Sequence, residues 1–178
     1  FGGQLALAAD GITMRIAGGS PLQGQSIRVP GDMSSAAFFM VAATLVPHSD
    51  VTIASVGLNP TRTGLLDVLQ KMGANIQVTP HADQGEPAGE VRVRSAKLHA
   101  ISITAAQVPA IIDELPLVAL LGAHASGTTR VRGAAELRVK ETDRIAALTT
   151  ELAKLGIVVQ DQPDGFSVTG GQDVHVLD

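Results

Sequence analysis

Apolar residues recur at two spacings along this chain, and the switches between them predict its elements. Ile145, Leu148, Leu152 and Leu155 recur at helical spacing and stop at Gly156, which predicts a helix closed by a glycine. Leu65, Leu69 and Met72, stopping at Gly73, predict a second helix of the same kind. Denser apolar runs predict helices over about 36–46 and 115–124, the latter with Pro116 suited to its first turn. Short runs predict strands over 27–29, 51–53, 76–78, 91–93, 101–103, 129–131, 157–160 and 166–168, with a Pro163-Asp164-Gly165 turn before the last. Ile12, Met14 and Ile16 alternate after Asp10-Gly11, which predicts a hairpin over 5–16. Gly18, Gly19, Pro21 and Gly24 then mark a connector.

The elements form one unit used twice. Val51-Thr52-Ile53 matches Thr129-Arg130-Val131, and Leu69-Gln70-Lys71-Met72-Gly73 matches Leu152-Ala153-Lys154-Leu155-Gly156. Each copy reads β-α-β-α-β-β, over about 27–96 and 97–172, which makes the fold class α/β. The helices of both copies start from long polar loops, and loops at one end of repeated units are where a site is built.

Composition narrows the function. With 178 residues, 45% apolar and 17% charged, the chain can bury a substantial core. A net charge of −4, four Phe and no Tyr or Trp give neither a basic field nor stacking platforms for nucleic acid. The absence of cysteine excludes disulfides and thiolate chemistry within the chain and is compatible with a cytoplasmic setting. Apolar runs such as 36–46 fall far short of the roughly 20 residues of a membrane span. His48, His81, His99, His124 and His175 show no metal-ligand spacing, and neither a Walker loop nor a dinucleotide glycine fingerprint is present. Phe1 follows no initiator Met, and both ends read as cuts through a longer protein.

The candidate chemistry gathers at the helix starts. Arg138, Lys140 and Arg144 lie before and within the first turn of the predicted helix that ends at Gly156, where the macrodipole favours acids. Two readings stay open: an anion held by these cations and free backbone N–H groups, or a solvated surface neutralised by Glu141 and Asp143. Asp113-Glu114 interrupts apolar surroundings. It is either a helix cap or a general base, with Lys140 as its partner cation. Gly31, Asp32, Ser34 and Ser35 precede the helix predicted over 36–46. Here Ser34-Ser35 reads as a cap, with phosphate or hydroxyl binding as the sharper alternative. Asn59-Pro60-Thr61-Arg62-Thr63-Gly64 is the first copy's counterpart of the cationic loop, and Arg62 reads either as an anion contact or, the favoured reading, as part of a polar helix start.

Four strings carry a family resemblance. Pro30-Gly31-Asp32-Met33-Ser34-Ser35-Ala36-Ala37-Phe38-Phe39, Asn59-Pro60-Thr61-Arg62-Thr63-Gly64 and Ile112-Asp113-Glu114-Leu115-Pro116 resemble 5-enolpyruvylshikimate-3-phosphate synthases. So does Glu136-Leu137-Arg138-Val139-Lys140-Glu141-Thr142-Asp143-Arg144, the most specific of the four. They occur in the family's order and span essentially the whole chain. The resemblance implies the enolpyruvyl transferase (EPT/RTPC-like) fold of two domains, each of three β-α-β-α-β-β units around a cleft. Residues 1–26 would end the first domain, and 27–178 would hold two units of the second, so the chain would be an internal fragment.

The implied reaction moves the enolpyruvyl group of phosphoenolpyruvate to the 5-hydroxyl of shikimate 3-phosphate and releases phosphate, in the shikimate pathway to chorismate and the aromatic amino acids. It implies a cytoplasmic, monomeric transferase with no cofactor and no metal. Nucleic acid and membrane are not among its expected partners. By motif position, Asp113 resembles the proton acceptor that also holds the shikimate hydroxyls, and Lys140 a contact to shikimate 3-phosphate. Glu141 resembles a proton donor or shuttle, Arg144 a phosphoenolpyruvate ligand and Asp32 a cleft residue. The family's first-domain cations and Ser-Ala-Gln motif would precede Phe1, and its Asp-His-Arg motif would follow Asp178, so the chain alone is expected to be inactive. The alternatives are a UDP-N-acetylglucosamine enolpyruvyl transferase and a non-catalytic anion-binding module.

Overall fold

A computed structural model describes residues 1–81 and 85–171. His175 and the expected end of the second unit at 172 lie outside the described residues. The chain opens with β1 (Gln4–Leu7) and β2 (Met14–Ala17), paired antiparallel from Gln4↔Ala17 to Leu7↔Met14. Asp10 shapes the connecting turn by accepting the Ile12 and Thr13 amides at 2.9 and 2.8 Å and the Thr13 hydroxyl at 2.6 Å. Both strands are exposed, and Ile12 belongs to the turn rather than to a strand.

The first repeat follows as α1 (Met33–Leu45), β3 (Asp50–Gly57), α2 (Gly64–Lys71), β4 (Asn75–Pro80) and β5 (Ala88–Arg94). The second comprises β6 (Ser102–Ile103), α3 (Leu115–His124), β7 (Thr128–Val131), α4 (Arg144–Ala153), β8 (Val159–Gln162) and β9 (Gly165–Thr169). Short 3₁₀ turns over Val108–Ala110 and Ala135–Arg138 precede α3 and α4. The sheets run β3-β5-β4 and β6-β7-β9-β8. In each, the last two strands form an antiparallel hairpin whose later member pairs with the middle strand.

The predicted strand over 27–29 does not form. Ile27 and Val29 are exposed, and what survives is a single parallel bridge between Gly31 and Val56. That bridge stands where β6 pairs parallel with β7 in the second repeat, so the topology is preserved with its first strand shortened to one residue. A bulge makes the bridge possible. Between the pairs Ile53↔Val91 and Val56↔Gly89, β3 carries one residue more than β5, and Ser55 takes φ +54°. The Ser55 carbonyl then accepts the Gly31 amide at 2.6 Å, and the Gly57 amide donates to the Gly31 carbonyl at 2.8 Å. Asp32 follows directly.

A continuous apolar core joins the repeats. α1 packs on β3 and β5 and also on α3, and α3 packs on β7 and β9. Met40 and Ala37 of α1 and Leu115, Val118 and Leu121 of α3 are fully buried. These two helices are apolar on nearly every side, as central positions require, whereas α2 and α4 bury single stripes. Phe38 and Phe39 of α1 remain exposed.

The predicted glycine stops of α2 and α4 are one motif used twice. The Gly73 amide donates to Gln70 and that of Ala74 to Leu69, while Gly156 donates to Ala153 and Ile157 to Leu152. Both glycines are left-handed, at φ +89° and +76°. This is the Schellman arrangement, with Leu69 and Leu152 below the glycine and Ala74 and Ile157 above it.

The helix starts differ from expectation. α1 begins at Met33, and its cap is Asp32, which accepts the Ser35 amide at 2.7 Å and the Ser35 hydroxyl at 2.9 Å. Ser34 and Ser35 therefore lie inside the helix, because the Asp carboxylate reaches the third helical amide itself. α4 is capped by Asp143, which accepts the Ile145 and Ala146 amides at 3.1 and 3.0 Å.

Two outcomes follow. Gly73→Ala forces a Cβ into the left-handed region and within 3.1 Å of the His99 ring, so urea denaturation should show a loss of about 1–2 kcal/mol. Backbone amides, from Ala146 for Asp143 and from Ser35 for Asp32, hold both carboxyls below their ordinary 3.8. A depressed folded value contributes stability above the unfolded pKa that disappears as pH falls through the folded one. The urea midpoint should hold steady down to about pH 5 and drop below about pH 4, more shallowly in Asp143→Asn.

Candidate active site

The polar starts of the helices converge where the two repeats meet. The contact is close because of Gly64, at the start of α2. A Cβ there would lie 2.3 Å from the Ile111 side chain and 2.8 Å from the Ala110 carbonyl. Only a residue without a side chain lets the Asn59–Gly64 loop settle against the segment leading to Asp113. Asn59 shapes that loop, accepting the Thr61 amide at 3.0 Å and hydroxyl at 2.8 Å while donating to Glu86 at 2.8 Å.

Arg62 reaches across from this loop. Its Nη2 donates to Ser34 Oγ at 2.8 Å and lies 3.6 Å from Asp32 Oδ1, and its Nη1 lies 4.0 Å from Asp113 Oδ2. The Ser34 hydroxyl in turn donates a hydrogen bond to Glu114 Oε1 at 2.5 Å. Glu114 is buried, with 4% of its surface exposed, and makes no capping bond to α3. The expected alternative of a capping role for the Asp113-Glu114 pair therefore fails for Glu114, whose carboxylate turns toward the first repeat.

Arg144, the first residue of α4, closes the other side. Its Nη1 donates to Asp113 Oδ1 at 3.3 Å and its Nη2 to Glu141 Oε2 at 3.4 Å. The Glu141 carboxyl is held below its ordinary range by its own backbone amide first and by Arg144 second. Asp32, Asp113, Glu141 and Arg144 thus form one chain of contacts, in which Arg62 is the link to Asp32.

Two cations stand elsewhere. Lys140 is not the recorded partner of Asp113; its Nζ donates to Glu136 at 2.9 Å, one helical turn back, and Arg144 and Arg62 face Asp113 instead. Arg138 belongs to the scaffold. It donates to the Pro163 carbonyl at 3.0 Å, the Gln162 carbonyl at 2.5 Å and Asp143 at 2.8 Å, and it also binds Asp161. These bonds fasten the start of α4 to the β8–β9 turn. Because Asp143 already takes two of the first amides of α4, an anion held by free N–H groups there is not what the geometry offers; the charge of Arg144 is. Sequence reasoning marked Arg62, Ser34 and Glu114 separately but did not join them. Charge alone marked Arg62, but its partners lie 28 and 51 positions away in the chain.

Among the described residues, no cluster of three or more His, Asp or Glu is placed to hold a metal ion, and no helix is long and apolar enough to cross a membrane.

A family model for EPSP synthase (3-phosphoshikimate 1-carboxyvinyltransferase) matches residues 1–176. The 3-phosphoshikimate 1-carboxyvinyltransferase of Lactiplantibacillus plantarum is 54% identical over 170 residues, covering 96% of this chain and 39% of that protein. Its counterpart in Geobacillus thermodenitrificans is 47% identical, over 96% of this chain and 39% of its own length. The chain therefore spans about 39% of the length of these curated relatives. EPSP synthase from Acinetobacter baumannii superposes with a TM-score of 0.88 at 40% identity, covering 96% of this chain and 38% of that one. The enolpyruvyl transferase NikO from Streptomyces tendae, at 24% identity and a TM-score of 0.65 over 84% of this chain and 32% of its own, shares the fold. With the repeated topology, the four motifs in order and a family match over nearly its full length, this chain belongs to the EPSP synthase family.

Proposed function

We propose that this chain supplies one wall of the active site of a 3-phosphoshikimate 1-carboxyvinyltransferase, a cytoplasmic, monomeric enzyme of the shikimate pathway. In that reading residues 1–26 end a first domain, and the two repeats are parts of a second. The enzyme transfers the enolpyruvyl group of phosphoenolpyruvate to the 5-hydroxyl of shikimate 3-phosphate. The 5-oxygen loses its proton and bonds to C2 while C3 gains a proton. The tetrahedral adduct then loses a proton from the C3 methyl together with phosphate, which restores the double bond.

The observation that carries this reading is Arg144, set between Asp113 at 3.3 Å and Glu141 at 3.4 Å. A base for the hydroxyl, a proton donor for C3 and a cation for the carboxylate or phosphate of phosphoenolpyruvate must sit within one substrate's width, and these three groups do. In this reading Asp113 accepts the hydroxyl proton and holds the shikimate hydroxyls. Glu141 moves the C3 proton, Arg144 binds phosphoenolpyruvate and Asp32 lines the cleft. Lys140 contacts shikimate 3-phosphate; its bond to exposed Glu136 is the kind of surface pair that contributes little and is easily exchanged for a phosphate.

The same wall is short of positive charge. Asp32, Asp113 and Glu141 share two guanidiniums, those of Arg62 and Arg144, and Glu114 is linked to Arg62 only through the Ser34 hydroxyl. Two polyanionic substrates need further cations, and the resemblance puts those outside this chain.

Two outcomes test the reading. In a ¹H–¹⁵N NMR titration of the 178-residue chain, shikimate 3-phosphate should shift signals around Asp113 and Lys140, and phosphoenolpyruvate those around Arg144, beyond any change caused by sulfate. A response no different from sulfate's, or a matching response to UDP-N-acetylglucosamine, would count against it. The chain by itself should release no measurable phosphate from the two substrates, and turnover would show that the missing cations are not needed.

A further inference from the structure

Arg62 is half exposed, and a solvent-exposed arginine would ordinarily sample many rotamers. Here one end of its fork is hydrogen-bonded to Ser34 and the other faces Asp113 at 4.0 Å. The Ser34 hydroxyl accepts from Nη2 and donates its single proton to Glu114, so both of its hydrogen-bonding capacities are directed. Glu114 is the fixed end of this relay, because it is buried, and its chain neighbour Leu115 is fully buried. Asp32 is fixed as well, its carboxylate committed to the start of α1. The other end of the fork points at Asp113, and the glycine at position 64 lets the loop come near enough.

We infer that Arg62 is a positioning residue for Asp113, aimed by the Ser34–Glu114 relay, so that the first repeat sets the orientation of the candidate base carried by the second. That Asp113 serves as a base rests on the synthase reading; the mechanical link does not. Arg144 approaches the other carboxylate oxygen of Asp113, and between the two guanidiniums the carboxylate plane has little freedom to turn. Planarity matters here. A lysine at position 62 keeps the charge but cannot bond Ser34 and face Asp113 with one rigid fork.

The experiment uses the isotopically labelled chain without ligand. In the unsubstituted protein at low temperature, Arg62 should give separate Nη signals, the mark of hindered guanidinium rotation. Its Asp113 carboxyl carbon should give one sharp signal. Ser34→Ala should merge the Arg62 signals and displace the Asp113 carboxyl signal, although Ser34 does not bond Asp113. Arg62→Lys should displace the same carboxyl signal and not restore its position, while Ser35→Ala should leave it in place. Arg62 is exposed enough that the lysine variant tests the link even where the Ser34 variant fails to fold. An Asp113 signal unmoved by Arg62→Lys, or rotationally averaged Arg62 signals in the unsubstituted chain, overturns the proposal. No substrate enters this measurement, so a failed shikimate 3-phosphate titration counts against the synthase reading alone.

Discussion

The packing of α1 against α3 is the constraint on which the rest depends. Each repeat alone would leave one of these almost wholly apolar helices with an uncovered side. Burying them against each other merges two cores into one and fixes the repeats' relative orientation. Once that is set, the polar loops before the four helices have little choice about which edge they share. Polar groups from both repeats then meet, the Ser34 hydroxyl and Glu114 at 2.5 Å and the Arg62 and Asp113 charges at 4.0 Å. The hydrophobic contact supplies the stability, and the ion pairs, most of them half exposed, supply direction.

That division explains which parts of the molecule could be read in advance. Helix α3 runs over the expected 115–124 because an apolar run with an early proline states both its type and its start. The glycine stops were legible for the same reason: a left-handed residue after a helical stripe is a local matter. The strand expected over 27–29 fails because alternation is necessary but not sufficient; its apolar side chains find no partner surface among the described residues. Ser34 illustrates the other limit. Its position near a helix start suggests capping, and only its neighbour Glu114, 80 residues on, shows that its hydroxyl is used elsewhere.

The cationic segment over 138–144 is the most instructive case. Read linearly, Arg138, Lys140 and Arg144 form one patch of charge. In the fold they separate into three tasks: Arg138 ties α4 to the β8–β9 turn, Lys140 rests on Glu136, and Arg144 faces Asp113. The partners that sort Arg138 and Arg144, Asp161 to Pro163 and Asp113, are 23 to 31 positions away and carry no mark of the pairing in the sequence. The resemblance singled out Arg144 and Lys140 where spacing alone treated all three alike.

The matched Schellman endings of α2 and α4 have a consequence for how the two repeats diverged. Each helix is terminated by a glycine at one end and carries its polar loop at the other. The residues that stop the helix are therefore not the charged residues of the candidate site, and substitutions in one group leave the other undisturbed. The first repeat could keep a single arginine in its loop while the second accumulated three cations, with no change in where either helix stops. Duplication on this scaffold separates inheritance of shape from invention of charge, so two copies of one unit can come to hold different halves of a site.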